Sequence, residues 1–457
     1  MKTDAKLTSE PIPKLVRHIA APASIGFFFN TMYNVVDTYF AGLISTQALA
    51  ALSVSFPIFF IIIALGAGLS TGLTAVMATS LGGGKLEQAR RVALHGIIYG
   101  VALSFFIGAL GVAVSPFLFS ALGASQDYLA ICIEYMNTIF YGSSLFLLLY
   151  MLNAVLNAYG DTRPFRNFLT AGFFLNILLD PWFIYGGFGI PPLGVRGIAA
   201  ATVLTQLVGC IYLGAKVYSQ GLVSGTSRNQ ARCLWQSVRE ISRQGLPASL
   251  NNMTVGIGIF VITFFLSKFG KEAVAAYGIA TRVEQIILLP AFGLNVATLT
   301  LVAQNNGAML YDRISAALQT ALRYGIILMA IGNLGLLLVP VQLMSVFSSD
   351  AEVISIGAGY LRIAAFLLYA YVILYLHVAA LQGMQRPLFP LWIGLFRQIV
   401  APVSLFYVAT SICHFGLLSV WWGIFCINWT AALITVLYAR NLLGRIGCSP
   451  AVWSLGQ

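Results

Sequence analysis

The stretch that decides the fold is PASIGFFFNTMYNVVDTYFAG, residues 22–42, because the chain repeats its pattern in the second half. When the sequence is shifted by 225 residues, PAS at residues 22–24 aligns with a second PAS at residues 247–249. The same shift aligns further small and turn residues, namely Gly68 with Gly293, Gly82 with Gly307, and Tyr99-Gly100 with Tyr324-Gly325. Chance matching of apolar residues does not explain these positions together, so the chain consists of two related halves.

Composition places these halves in a membrane. The chain has 457 residues, of which 59% are hydrophobic and only 9% are charged, and its mean hydropathy is +0.87. Soluble domains carry about 25% charged residues, and so little charge cannot cover a water-facing surface of this size. Apolar runs near the roughly 20 residues needed to cross a bilayer predict twelve spans: 17–42, 50–80, 92–115, 128–158, 164–186, 197–219, 240–267, 273–305, 314–340, 352–382, 388–412 and 418–441.

These spans predict an all-α polytopic membrane protein, because a helix satisfies its own backbone groups in lipid. Six spans per half give both halves the same orientation, as in transporters built from parallel repeats. We therefore predict twelve transmembrane helices in two pseudo-symmetric six-helix lobes. The longest polar connection divides them into an N-lobe (1–219), a cytoplasmic linker (220–239) and a C-lobe (240–457).

The formal net charge of +11 is distributed as in a membrane protein rather than a nucleic-acid-binding protein. Positive residues gather where alternate spans end, and a positive-inside pattern places those ends, with both termini, in the cytoplasm. The first apolar run is too long for a signal-peptide core and is expected to be retained. The basic residues that define this side are Lys2, Lys6, Lys14, Arg17, Lys85, Arg90, Arg91, Arg163, Arg166, Arg228, Arg232, Arg239, Arg243, Arg386, Arg440 and Arg445.

Cofactor chemistry finds no support in the sequence. The six cysteines form no C-x-x-C pair and predict neither a metal site nor a disulfide framework. The stretch LGGGKLEQ, residues 81–88, has leucine where a phosphate-binding loop has serine or threonine after its lysine. We predict no catalytic residue and no cofactor, and expect transport to draw on an ion gradient or on the substrate's own concentration.

Two membrane acids distinguish the first half from the second. Under the repeat Asp37 falls on Ile262, and Asp180 falls on Ala401 or Val403. A charge at the centre of a membrane helix costs about 2.5–3.5 kcal/mol on insertion scales. Because the sister half dispenses with both carboxyl groups, symmetric packing does not require them, and a function is favoured.

Helical spacing groups these acids with other polar residues. Asn30, Tyr33, Asn34 and Asp37 form one stripe of the first span, and Asn176 and Asp180 form one face of the fifth. Burial favours the neutral form of a carboxyl group, and two neighbouring acids titrate as a coupled pair. We predict a proton-binding switch; the alternative is a hydrogen-bonded clamp between helices.

Other polar residues in the spans support weaker predictions. Asn153 and Asn157 share a face of the fourth span, where they line a cavity or join helices. Pro22 allows the first span to bend, as a static kink or as a hinge. In the second half, Arg282 or Arg362 is expected to neutralise Glu284, whereas Arg397 has no obvious partner.

Several of these motifs together resemble one family. NVVDTYFAG in the first span, GDTRP after the fourth, LNILLDP in the fifth and LGVRGIAAAT at the start of the sixth are similar to the MATE family of multidrug and toxic compound extruders. The resemblance covers essentially the whole chain. The seventh and tenth spans lack the interior carboxylates of the NorM-like branch, so the chain is closer to the DinF-like branch.

This resemblance implies an antiporter in the bacterial inner membrane that exports bulky, often cationic compounds in exchange for H⁺ or Na⁺. Asp37, Asp180 and Asn176 match the residues that bind the coupling ion in that branch, and H⁺ is the ion we expect. Thr202 and Asn153 match cavity residues more loosely, and Pro22 matches a proline associated with bending of the first helix. We expect amphiphilic drugs and membrane lipids as partners, no nucleic acid, and a monomer.

Two alternatives remain at this stage. A flippase for a lipid-linked glycan belongs to the same superfamily, although such proteins often have cationic cavities and fourteen spans. An intramembrane hydrolase could use two aspartates as a catalytic dyad, but it would leave the repeat of the whole chain unexplained.

Overall fold

The computed structural model describes residues 6–121, 126–187, 189–223 and 230–445. These residues form helices joined by short connections, and the described part contains no β-strand beyond an isolated bridge between Gly187 and Ile190. In chain order the α-helices are α1 (Lys6–Ser9), α2 (Ile12–Ile44), α3 (Thr46–Gly82), α4 (Leu86–Ala121), α5 (Gln126–Tyr141), α6 (Ser143–Ala158), α7 (Arg163–Tyr185), α8 (Val195–Ser219), α9 (Gln230–Leu266), α10 (Lys271–Gly307), α11 (Tyr311–Leu338), α12 (Pro340–Ser345), α13 (Ala351–Gly383), α14 (Leu388–Leu395), α15 (Ala401–Tyr407) and α16 (Leu418–Arg445).

Every predicted span lies on one of these helices or on two consecutive ones. Ten helical segments of the described chain are long and apolar enough to cross a membrane, and α5 with α6 adds an eleventh if the bent pair is one span. Helix α2 is 33 residues long but falls outside that group. Its polar residues Asn30, Asn34 and Asp37 lower its mean hydropathy, as expected for a membrane helix that carries a polar stripe.

The predicted span 128–158 is broken rather than continuous. Helices α5 and α6 meet at Gly142 and are bent by 47°. A side chain at Gly142 would collide with Val203 of α8, so the glycine lets α8 pack closely against the bend. The predicted span 388–412 is also irregular, since π-helical turns at Phe396–Val400 and Val408–Ile412 flank α15.

The chain folds into two compact units whose boundaries lie inside helices. One unit consists of Ile25–Ser249, and the other of Met1–Ser24 with Leu250–Gln457. The boundaries therefore fall two residues after Pro22 in α2 and two residues after Pro247 in α9. Residues 1–24 were predicted in the N-lobe but belong to the unit that contains most of the C-lobe, and residues 240–249 were predicted in the C-lobe but belong to the other unit. The lobe boundaries stay a prediction.

The repeated PAS motif makes the same contact in each unit. In the unit that contains α10, Ser24 Oγ lies within hydrogen-bond distance of the carbonyl oxygen of Pro290, at 3.3 Å, and of that of Ala20 on its own helix, at 2.9 Å. In the unit that contains α3, Ser249 Oγ donates to the carbonyl oxygen of Leu65 at 3.1 Å. Residues 65 and 290 differ by the repeat shift of 225, as do 24 and 249. The internal repeat predicted from the sequence thus has a structural counterpart.

Glycine completes this contact. A Cβ atom at Gly293 would overlap Ser24, and a Cβ atom at Gly68 would overlap the backbone of Ser249. Only a residue without a side chain lets the two helix backbones approach this closely in either unit, as at other close helix crossings in membranes. The pairing of Gly68 with Gly293 in the repeat is therefore explained by packing.

Candidate functional site

Helices α2, α7 and α8 bring five of the predicted residues together inside the unit Ile25–Ser249. We call Tyr33, Asp37, Asn176, Asp180, Thr202 and Thr205 the Asp37 cluster. Asp37 is 8% exposed and Thr202 is 3% exposed, whereas Asn176 and Asp180 are fully buried. The two acids that the sister half lacks therefore share one buried site, as their polar stripes predict.

Thr202 connects α8 to Asp37. Its hydroxyl oxygen lies 3.3 Å from Asp37 Oδ2 and 3.0 Å from the carbonyl oxygen of Ile198 on its own helix. A hydroxyl carries a single proton and two lone pairs. Thr202 can therefore donate to Asp37 or to Ile198, and it can accept a hydrogen bond from a protonated Asp37 while it donates to Ile198.

The second acid is held by its own helix. Asn176 Nδ2 donates to Asp180 Oδ1 at 3.1 Å, one turn apart on α7. Asp37 and Asp180 lie close enough for their carboxyl groups to interact. No ion pair among the described residues includes either acid. Within the part of the chain that the structure describes, the pair is thus not neutralised by lysine or arginine.

The cluster contains more acceptors than donors. Asp37 Oδ1, Asp180 Oδ2 and Asn176 Oδ1 are buried and receive no hydrogen bond from the described protein groups. Buried polar atoms normally have a partner, and a group without one points to a function or a bound species. The two carboxyl oxygens can take up a proton, or all three oxygens can coordinate a small cation that prefers oxygen ligands.

The remaining predicted residues have different surroundings. Asn30 is exposed, and Asn34 uses its side chain to donate to the Asn30 carbonyl oxygen at 2.8 Å. On α6, Asn153 and Asn157 are both 8% exposed, and Asn153 Oδ1 receives no hydrogen bond. The structure does not place Asn30 and Asn34 in the Asp37 cluster, so their assignment to a substrate cavity stays a prediction, as does that of Asn153 and Asn157.

Pro22 is buried within α2, which continues as one helix on both sides of it. Because Ser24 and Ile25 belong to different compact units, the proline lies next to the point where the helix passes from one unit to the other. A membrane proline removes one backbone hydrogen bond of the helix. The hinge assigned to Pro22 stays a prediction.

Two residues near Asp37 and Asp180 were not predicted from the sequence. Thr205 faces Tyr33 and lies one turn after Thr202, so its position at i+3 on the same helix face was a usable signal. Tyr135 on α5 is 6% exposed and interacts electrostatically with both acids. No local pattern distinguishes Tyr135, because its proximity to α2 and α7 arises only from packing.

One prediction for the second half was wrong. Glu284 is 4% exposed, but Arg282 and Arg362 are exposed, and Glu284 takes part in none of the ion pairs among the described residues. Residues two positions apart on a helix point to different faces, so Arg282 cannot follow Glu284 into the interior. Equal depth in the membrane does not by itself bring two charges together.

The chain matches the family model MatE twice, at residues 22–182 and 247–408. The chain belongs to the MatE family. The two matches begin at Pro22 and Pro247, which are also the first residues of the repeated PAS motif. The MATE resemblance and the internal repeat are thereby confirmed.

Known proteins resemble this MATE chain over nearly its full length. A FAD transporter of Shewanella oneidensis is 28% identical over 89% of this chain and 90% of its own. The probable multidrug resistance protein NorM of Thermotoga maritima is 27% identical over 91% of this chain and 90% of its own. A MATE family transporter of the MOP superfamily in an outward-facing conformation is 25% identical, with a TM-score of 0.90 over 98% of this chain and 99% of that one.

These similarities settle the class of the protein. The predicted fold of 12 transmembrane helices in two lobes is confirmed by the MATE structures that this chain matches. The chain is a multi-span membrane transporter and not an enzyme. The intramembrane hydrolase was therefore a wrong alternative. Assignment to the DinF-like branch stays a prediction.

Proposed function

We propose that this MATE protein exports bulky, amphiphilic and often cationic organic compounds in exchange for H⁺, with Asp37 as the coupling acid. Asp180 and Asn176 complete the proton site in this proposal. The observation that carries it is a pair of buried acids whose oxygens lack partners among the described residues and with which no described basic residue forms an ion pair. Such a pair is favoured where one proton is to be bound and released.

In the proposed mechanism, the hydrogen bonds of Thr202 change when Asp37 gains or loses a proton. With Asp37 ionised, the hydroxyl of Thr202 donates to Asp37 Oδ2. With Asp37 protonated, the carboxyl group donates to Thr202, whose own proton then turns to the Ile198 carbonyl oxygen. One proton thus reverses the hydrogen bond between α2 and α8. In the proposed cycle this reversal shifts the balance between inward- and outward-facing states, in an alternating-access mechanism.

The wider setting of the proposal follows from charge and from the relatives. The positive-inside pattern favours the cytoplasmic (inner) membrane with both termini in the cytoplasm, and the chain is proposed to act as a monomer surrounded by lipid. The name of the Thermotoga relative supports drugs as substrates, whereas the Shewanella relative transports FAD, a different substrate. Neither name supports a flippase for a lipid-linked glycan.

Proton coupling is tested with purified protein in liposomes that have an acidic interior and contain no dye. Uptake of the cationic dye ethidium is followed by fluorescence. We expect uptake to require the proton gradient. Asp37→Asn and Asp180→Asn are each expected to reduce uptake to the rate of protein-free liposomes, because a side-chain amide neither binds nor releases a proton in the pH range of the experiment. A Na⁺ gradient without a pH difference tests the alternative ion.

Glu134→Gln is the matched control. Glu134 is an acid of the same unit, but it is exposed and pairs with the exposed Arg196 at 2.9 Å. Its loss is expected to leave uptake at the wild-type rate. Wild-type uptake by Asp37→Asn at equal protein content would contradict the proposed coupling, and uptake driven only by Na⁺ would replace H⁺ as the coupling ion.

A further inference from the structure

A second polar site lies in the unit that contains Leu250–Gln457. We call it the Arg397 pocket and define it by Glu284, Tyr371, Tyr375, Arg397, Gln398 and Asn428, which line a cavity of about 100 Å³. Pockets for whole drug-sized ligands hold about 300–1,000 Å³. The Arg397 pocket therefore accommodates one end of such a molecule rather than all of it.

Arg397 is a buried cation that forms no ion pair with any carboxylate of the described residues. The residue is 8% exposed. Its Nη1 donates to Asn428 Oδ1 at 2.9 Å, and its Cζ lies 5.8 Å and 6.0 Å from the ring centres of Tyr371 and Tyr375. Guanidinium keeps its proton in proteins, so this charge is permanent.

One edge of the guanidinium group remains free. Nε is buried without a hydrogen-bond partner, and Nη2 donates to no described residue. Both polar atoms of the Asn428 side chain have a partner, because its Nδ2 donates to the carbonyl oxygen of Ile424 at 2.8 Å while its Oδ1 accepts from Arg397. Asn428 thus occupies Nη1 of the guanidinium group and leaves the Nε and Nη2 groups available. Two neighbouring N–H groups of an arginine can bind a carboxylate or phosphate through two parallel hydrogen bonds.

The backbone presents Arg397 to the cavity. Arg397 and Gln398 lie in the π-helical turn Phe396–Val400, and both line the same pocket. A side chain at Gly258 would overlap the Gln398 carboxamide, so the glycine of α9 leaves room for it. π-Helical turns within α-helices are frequent at functional sites. The local geometry therefore agrees with a binding role.

Glu284 does not convert this pocket into a cation site. It is 4% exposed, its Oε1 has no partner, and it faces Tyr360 rather than a basic residue. A carboxyl group can become neutral by binding a proton, whereas a guanidinium group cannot lose one. The charge contributed by Glu284 and Arg397 together is thus zero or positive, and never negative.

We propose that the Arg397 pocket binds the acidic group, carboxylate or phosphate, of an aromatic organic anion. The free edge of Arg397 takes the acidic group, and Tyr371 and Tyr375, whose rings line the same cavity, give the attached ring aromatic groups to contact. This extends the substrate class to organic acids. That extension rests on the proposed transport function, although binding itself does not.

Binding is tested by calorimetry on the full-length protein in lipid nanodiscs. The probes are benzoate and phenyl phosphate, with benzamide as the neutral compound of the same shape. We expect at least one of the two anions to bind about tenfold or more tightly than benzamide, as charge-assisted bidentate bonds require. The better anion distinguishes carboxylate from phosphate as the recognised group. Equal binding of both anions and benzamide overturns the proposal.

Three variants assign the binding to this pocket. Arg397→Gln is expected to abolish the preference for the anion, and Glu284→Gln to retain or strengthen it, because a competing carboxylate is removed. Arg362→Gln removes an exposed arginine of the same unit and serves as the matched control with unchanged binding. Loss of the preference in Arg362→Gln or in Glu284→Gln overturns the proposal, as does its persistence in Arg397→Gln. If Arg397→Gln does not fold, the binding of benzoate, phenyl phosphate and benzamide to wild type and Glu284→Gln still tests whether the protein prefers the anions.

Failure of this inference is distinguishable from failure of the proposed function. Asp37→Asn is expected to lose proton-coupled dye uptake and to keep the anion preference, since Asp37 belongs to the other unit. Dye uptake without anion preference in wild type rejects only the pocket. Anion preference without proton-coupled uptake rejects only the coupling mechanism.

Discussion

Asp37 carries its carboxyl group at 8% exposure on a helix whose repeat-related counterpart has the buried Ile262 at the same position. Spacing along α2 and α7 predicts that Asp37, Asn176 and Asp180 share polar faces, and the structure brings them together. The donor that reaches Asp37 lies 165 residues away along the chain, on α8. Hydropathy and periodicity report only on neighbours along a helix, so they can indicate Thr205, one turn after Thr202, but not Tyr135, which reaches the two acids from another helix.

Thr202 offers a test at the residue scale. Thr202→Val removes the hydroxyl but keeps the shape, which leaves a buried carboxylate without its donor. Such a loss costs about 1.5–3 kcal/mol for a charged group, so we expect proton-driven dye uptake to fall by about tenfold or more. Thr202→Ser keeps the hydroxyl and should transport at close to the wild-type rate. Equal rates for valine and serine would show that this hydrogen bond has no part in coupling.

Close helix approaches dominate at the scale of elements. Gly68 and Gly293 are related by the repeat, and each contacts the serine of a PAS motif that is itself repeated. The sequence revealed the matching positions but not their partners, because a glycine in a membrane helix can mark a bend, a crossing or neither. Gly142 illustrates the ambiguity, since there the glycine lies at a 47° bend that the apolar run did not reveal.

Gly68→Ala tests the crossing. The added methyl group would overlap the backbone of Ser249, and overpacking of this kind costs about 1–3 kcal/mol. We expect a lower midpoint of thermal unfolding, measured by loss of the monodisperse peak after heating in detergent. Gly335→Ala is the matched control, because no atom lies near its added methyl group. That variant should be neutral or more stable by about 0.5–1 kcal/mol, since alanine favours the helix over glycine.

At the scale of the whole molecule, the units do not follow the longest polar connection. Each of α2 and α9 contributes its first part to one unit and its remainder to the other, with the boundary at equivalent positions of the repeat. Composition can locate a polar linker, but it cannot show that a helix continues from one compact unit into the next. The number of spans and their helical nature, in contrast, follow directly from hydropathy.

The orientation of the molecule is testable through its cysteines. Cys413 is exposed and follows the eleventh span, so both termini in the cytoplasm place it outside the cell. In intact cells, a variant with Cys413 as its single cysteine should react with a membrane-impermeant maleimide. A variant with only Cys448, beyond the twelfth span, should react only after permeabilisation. The opposite pattern would contradict the orientation inferred from positive charge.

The sequence by itself determined the membrane class, the helical spans, the twofold repeat and the polar faces of α2 and α7. These features depend on composition and on spacing within a helix, both of which are local. Only the tertiary structure decided that Thr202 contacts Asp37, that Glu284 pairs with no arginine of the described residues, and that Arg397 lines a pocket of its own. Such contacts join residues far apart in the chain, and they depend on how helices cross and rotate against one another, which no local pattern encodes.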